Sequence, residues 1–185
     1  MEPVVRIGVT VTFLRMEAPP AEPAPALPGD AAVVPLVRPT VPFYRYLYDT
    51  VGGAYLWWLR RAIPSSDLAS IIRHPLLKVY VLYQGGEPAG FFELDRRPSP
   101  DVNLGYFGLM PHAVGRGLGH GFLRAAVDEA WRGRPRLLTV NTCTADHPRA
   151  LPLYRRVGFT PIRQVPELWE VPVRLGMRIP DALRV

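Results

Sequence analysis

Apolar and polar residues alternate near the start of the chain, with Ile7, Val9, Val11 and Phe13 separated by Gly8, Thr10 and Thr12. A period of two predicts a half-buried strand. Residues 19–42 carry eight prolines, which excludes a regular helix or central strand and predicts a long extended loop. It reads either as a cover over the fold or as a disordered spacer. Residues 44–63 turn helical, with a break at Gly52-Gly53 and a stop at Pro64. Ser65, Ser66 and Asp67 stand as a cap before a short helix over 68–73. Residues 78–83 and 89–94 predict two strands joined by the turn Gln84-Gly85-Gly86-Glu87-Pro88, and 95–101 the next turn.

An apolar run over 104–110 ends at Pro111, and glycine then recurs at 115, 117, 119 and 121. Leu118, Phe122, Ala125, Ala126 and Ala130 follow on one face of a helix, with Arg124 and Asp128 as an i,i+4 pair on the other. Residues 137–142 predict a buried parallel strand reached by a right-handed crossover. Asp146 is placed to cap the next helix, with Pro148 in its first turn. Pro152 should kink or delay that helix, and Gly158-Phe159 end it. Residues 160–165 and 171–179 are weaker strand candidates, both interrupted by proline. The order predicts one α/β (α+β) domain over 1–185, antiparallel in front and parallel around the glycine loop.

That loop carries the first chemical signal. At a helix start, backbone N–H groups without intrahelical partners and the positive end of the helix dipole together bind phosphate oxygens. Glycine lets the ligand approach and permits positive φ. A dinucleotide fingerprint fails, because His120 stands where the third glycine is required, and a P-loop fails for want of Gly-Lys-Ser/Thr. A flexible turn is the alternative that glycine alternation leaves open.

Val114-Gly115-Arg116-Gly117-Leu118-Gly119 resembles the acetyl-CoA loop of the GNAT N-acetyltransferases, Gln/Arg-x-x-Gly-x-Gly/Ala, with valine for its first polar residue. Ala150-Leu151-Pro152-Leu153-Tyr154-Arg155-Arg156-Val157-Gly158-Phe159 resembles the family's Ala-x-x-Leu-Tyr-x-x-x-Gly-Phe segment, in the family's order and separation. The resemblance covers most of the chain from about Tyr44 onward. It implies the GNAT fold: a mixed central sheet, antiparallel in its N-terminal half, with parallel strands splayed at the acetyl-CoA site and helices on both faces. Acetyl-CoA is then the cosubstrate, and a primary amine of a small molecule or peptide the acceptor. The implied cofactor contacts are the backbone of Phe107, Leu109 and Met110, pairing with the pantetheine arm as an added strand. Val114, Gly115, Arg116, Gly117, Leu118, Gly119 and His120 join them, with His147 at a position where asparagine is frequent.

The implied chemistry rests on few residues. Backbone N–H groups near Leu109 would polarise the thioester carbonyl. Tyr154 stands where relatives protonate the departing thiolate; otherwise it is a half-buried helix tyrosine. Many relatives carry a glutamate base where this chain has Asn103, an amide that cannot accept the proton, so Asn103 becomes an acceptor-contact candidate. Glu93 is the best carboxylate left, acting through water, or else a solvated hairpin residue. Residues 44–63 carry an aromatic load that in the family walls the acceptor pocket. Tyr48, Trp57 and Trp58 are therefore acceptor-binding candidates, with core packing their other role.

Composition adds constraints. A chain of 185 residues with 48% hydrophobic content can bury a full core. The single cysteine, Cys143, excludes a disulfide framework, suits a reducing cytoplasm and reads as an inert thiol. Net charge +6 favours anionic partners. CoA meets that need without nucleic acid, and Arg132, Arg134 and Arg136 read as solvated surface. Neither a membrane span nor a signal peptide is expected. No metal is expected either, since His74, His112 and His120 lack ligand spacing with any acid. Asn103 and Val114 keep open a degenerate acyl-CoA-binding sensor as the alternative to an enzyme. The oligomeric state, a homodimer included, stays open.

Overall fold

Seven strands form one mixed sheet in the computed structural model, which describes residues 2–185. They are β1 (Val4–Met16), β2 (Ala31–Pro35), β3 (Leu77–Gln84), β4 (Glu87–Asp95), β5 (Val102–Leu109), β6 (Leu138–Cys143) and β7 (Thr160–Pro172). The helices are α1 (Val41–Gly52), α2 (Leu59–Ala62), α3 (Ser65–Ile72), α4 (Leu118–Trp131) and α5 (Ala150–Val157). The sheet order is β2-β3-β4-β5-β6-β1-β7. Strands β2 to β5 are antiparallel, β5 and β6 parallel, and β1 is antiparallel to both β6 and β7.

Helices cover both faces, and β5 alternates between them. Phe107 packs on Phe122 of α4 at 5.1 Å between ring centroids, whereas Tyr106 meets Tyr48 of α1 at 4.9 Å. Glycine at 108 is what admits α1, because a Cβ there would collide with Val51. The pairing of β4 with β5 shifts between Glu93 and Leu94: Glu93 faces Tyr106 and Leu94 faces Leu104, leaving Gly105 as a bulge. A bulge bends its strand and resets which face the side chains take. Beyond it the parallel pair parts. Only Val102, Asn103 and Leu104 pair with Leu138, Thr139 and Val140, so the β6-facing side of residues 105–109 has no strand partner.

Several expectations change. Residues 31–35 are an edge strand on β3, Val41 and Pro42 begin α1, and the part of the proline-rich segment before β2 straps α4. Leu27 packs on the core, Arg124 donates to the Glu22 carbonyl at 2.7 Å, and a Cβ on Gly121 would meet Leu27 at 3.1 Å. Ser65, Ser66 and Asp67 lie inside the first turn of α3 rather than capping it, since Pro64 holds the cap position. Asp146 does not cap α5, which starts after Arg149; its carboxylate turns back onto β6. Pro152 falls in the first turn, where its missing N–H has no intrahelical acceptor to lose, and the regular helix starts at Ala150, later than a cap at Asp146 predicts. Residues 160–172 are one strand, because β1 pairs along its whole length.

Residues 173–179 are not strand. After a short turn at Val173–Leu175 the chain folds back, and Arg184 bridges Ile7 along the stretch of β1 that β6 does not reach. Ile7, Val9, Val11, Leu56, Val171 and Ile179 form a second apolar cluster there, distinct from the main core of Leu14, Phe91, Phe92, Phe122 and their neighbours.

Candidate functional site

A cleft of about 910 Å³ passes through the gap where β5 and β6 part. Its walls include Phe107, Gly108 and Leu109 from β5, Asn141 and Cys143 from β6, and Tyr154 from α5. At one mouth lie Val114, Gly115, Gly117, Gly119 and His120; at the other, Tyr48, Trp57, Trp58, Arg60, Tyr106 and Trp169.

The loop mouth is built from backbone. Gly115 and Gly117 have φ of 82° and 79°, a left-handed conformation that glycine takes without strain. Gly117 is the residue before α4, so the first N–H groups of that helix lack intrahelical acceptors. A Cβ at either glycine would meet nothing within 4 Å, leaving open space over those donors. Arg156 is close enough to affect His120, Arg149 lines the same cleft, and Arg116 is exposed beside the loop. Burial, Arg156 and Arg124 together lower the pKa of His120. His147 lines the cleft as well, its Nδ1 accepting the Arg149 backbone N–H at 3.1 Å. Leu118 and Met110 keep their side chains in the core, and the Met110 N–H is donated to the Ala89 carbonyl.

Tyr154 sits at the crossing point, 6% exposed, between the rings of Phe107 and Phe159. Burial, helped by the negative charge of Asp146, raises its hydroxyl pKa well above the usual tyrosine range. Cys143 is half-buried nearby, and burial pushes its thiol up to about 11.

Glu93 is neither solvated nor free. It is 1% exposed, with Oε1 accepting from Arg60 at 2.7 Å and Oε2 from the Tyr44 hydroxyl at 2.8 Å. Burial raises its carboxyl above the usual glutamate range, while Arg60 and Tyr44 pull against it. The Arg60 guanidinium also lies over Tyr106, 5.6 Å from the ring centroid. Tyr48 is 1% exposed; its hydroxyl accepts the Arg60 backbone N–H and donates to Tyr106. It reaches the cleft from within the core. Asn103 accepts a hydrogen bond from Thr139 at 3.1 Å on the same wall. Trp57 and Trp58 are half-buried and face the cleft, Trp58 also packing on the second cluster.

Residue-type patterns did not reveal Arg60, Tyr106, Asp146, Glu167 or Trp169 as cleft residues. Asp146 accepts from Trp57 Nε1 at 3.3 Å, Thr142 Oγ1 at 2.8 Å and the Cys143 N–H at 3.0 Å. Glu167 and Trp169 share a face of β7, a fact readable only once 160–172 is recognised as one strand.

The family model described as the acetyltransferase (GNAT) family matches residues 40–159. A solved GCN5-related N-acetyltransferase from Sphaerobacter thermophilus is similar at TM-score 0.60 and 19% identity, over 92% of this chain and 53% of its own. One from Kribbella flavida gives 0.60 and 17%, over 92% and 63%. A tandem GNAT protein from the clavulanic acid biosynthesis pathway gives 0.60 and 18%, over 90% and 55%. The chain therefore spans less than two thirds of the length of these relatives. At such identities the likeness establishes the fold. No curated protein matches the sequence.

Proposed function

This chain belongs to the acetyltransferase (GNAT) family, and on that premise we propose that it is an acetyl-CoA-dependent N-acetyltransferase acting on a primary amine of a small molecule or peptide. The observation that carries the reading is the continuous cleft through the parted strands, with a glycine loop at one mouth, aromatic rings at the other and Tyr154 between them.

Acetyl-CoA supplies the activated acetyl group. The N–H groups at the start of α4, with Arg116, His120, Arg149 and Arg156, suit its phosphates. The unpaired edge of β5 at Phe107 and Leu109 suits its amide-bearing arm, and backbone N–H groups there suit the developing oxyanion. As the amine nitrogen bonds to the carbonyl carbon and the carbon–sulfur bond breaks, Tyr154 gives its proton to the departing sulfur. The amine releases one proton to water at the other mouth, and Tyr154 regains one from solvent. Glu93 supports that mouth by holding Arg60; tied to two donors, it serves as a proton acceptor only through water.

The same tie gives the sensor reading its one specific support, because it occupies the best carboxylate near Asn103. A thiol-release assay over a panel of primary amines separates the two. Turnover of any amine supports the enzyme, and tight acetyl-CoA binding with no turnover across the panel supports the sensor. Gly117→Asp tests the loop in parallel. A carboxylate there should weaken acetyl-CoA binding by roughly 10- to 100-fold, the weight of a few charge-assisted hydrogen bonds. Unchanged affinity in the folded variant would remove the loop from the site.

A further inference from the structure

Four carboxylates reach the aromatic mouth of the cleft, and two are neutralised within the protein: Glu93 by Arg60 at 2.7 Å and Asp95 by Arg97 at 2.6 Å. Asp146 and Glu167 are not. Among the described residues neither has a cation within ion-pair distance. Each is held instead by an indole: Trp57 Nε1 donates to Asp146 Oδ1 at 3.3 Å, and Trp169 Nε1 to Glu167 Oε2 at 2.7 Å. Trp57, Asp146, Trp169 and Glu167 are each half-buried and line the same cleft.

A carboxylate withdrawn from water costs free energy unless a positive charge meets it, and an adjacent aromatic ring adds attraction for the same charge. Each tryptophan–carboxylate pair is thus half of a site for an organic cation. Of the guanidiniums near the cleft, Arg60 is engaged on Glu93 and Arg163 lies over the Phe13 ring at 4.3 Å, while Arg149 and Arg156, which also line it, are not within ion-pair distance of either carboxylate. Thr142 and the Cys143 N–H fix Asp146 close to the parted strands. Glu167 stands on β7, two interstrand steps from β6 across β1, roughly 10 Å away. A short alkyl or aromatic spacer covers that distance.

Building on the acetyltransferase reading, we propose that the acceptor is a diamine or another dibasic amine. Its reacting nitrogen binds as an ammonium at Trp57 and Asp146 and gives its extra proton to water before it attacks, and its second nitrogen, which stays protonated, is held at Trp169 and Glu167. Glu167 is then the residue that selects two charges over one.

Tryptophan fluorescence of the full chain saturated with CoA measures this by binding alone, with hexamethylenediamine and hexylamine as probes of equal length. The diamine should bind at least roughly tenfold more tightly, the weight of one partly desolvated cation contact. Glu167→Gln keeps an acceptor for the Trp169 indole and should bring the two affinities to within about twofold. Equal affinities in the unsubstituted protein, or a gap that survives Glu167→Gln, would overturn the proposal. Because binding is read without turnover, a diamine preference in a protein that acetylates nothing would support this inference while ending the enzyme reading. Acetylation of both probes with equal KM and equal affinity would do the reverse.

Discussion

Tyr154 illustrates how burial sets a role. An ordinary tyrosine hydroxyl loses its proton near pH 10, and burial moves this one higher. A raised pKa keeps the protonated, donating form present across a wider range, so ionisation of Tyr154 cannot limit the rate below about pH 10. Tyr154→Phe keeps the ring between Phe107 and Phe159 but removes the proton. It should lower kcat by roughly 10- to 1,000-fold with acetyl-CoA affinity unchanged, and leave the shape of the pH–rate profile below about pH 10 unaltered. Single-turnover kinetics over pH, where chemistry is read directly, make the check; wild-type rates would relegate Tyr154 to packing. Its position was legible because Ala150 to Phe159 resembles the family's Ala-x-x-Leu-Tyr-x-x-x-Gly-Phe segment, which spans α5 and the glycine that ends it. Glu93 was not legible in the same way. Its partner Arg60 lies 33 residues earlier in the chain, and nothing local announces an ion pair formed by tertiary packing.

Among the elements, α4 shows the cost of being covered from outside. A helix glycine is unfavourable by about 1 kcal/mol relative to alanine, yet Gly121 is buried in the second turn of α4. The proline-rich strap explains it: Pro25 and Leu27 cross at the point where a Cβ would come within 3.2 Å and 3.1 Å of them. Gly121→Val should lift the strap while α4 persists. The expected result is faster proteolysis between residues 19 and 30, a stability loss of about 1–3 kcal/mol from the overpacked contact, and little change in acceptor choice. Limited proteolysis with mass mapping reads it, and an unchanged cleavage pattern would show that the strap does not depend on that contact. Prolines made the absence of helix here readable from the sequence. They could not reveal that residues 31–35 add to the sheet, because strand addition depends on the free edge of β3, which lies over 40 residues downstream. The helices and hairpin carry their own periodicity and were therefore the more legible elements.

Over the whole molecule, the sheet separates two duties. The main core anchors α4 and α5 and with them the glycine loop and Tyr154, while the second cluster stands behind Trp58 and Trp169 at the opposite mouth. The fold class could be read from element order alone, since a helical crossover between short strands demands a parallel pair. The second cluster could not, because Ile179 and Met177 sit in a stretch with strand-like composition that forms no strand and joins Ile7, Val9 and Val11 through side-chain packing alone. The division makes a prediction about distance. Ile179 is 6% exposed, and Ile179→Ala should cost about 2–4 kcal/mol by the transfer and cavity terms of a large-to-small change. Slackening that cluster should raise the acceptor KM several-fold and leave acetyl-CoA affinity within about twofold, because nothing in it touches the loop. Leu123→Ala in the main core, where the side chain is fully buried on α4, should cost a similar amount but weaken acetyl-CoA affinity several-fold and leave the acceptor KM within about twofold. Urea unfolding gives the stabilities, and kinetics at a temperature where both variants are folded give the constants. If both substitutions move acceptor KM and acetyl-CoA affinity together, the two mouths of the cleft respond as one body and the separation of duties across the sheet is wrong.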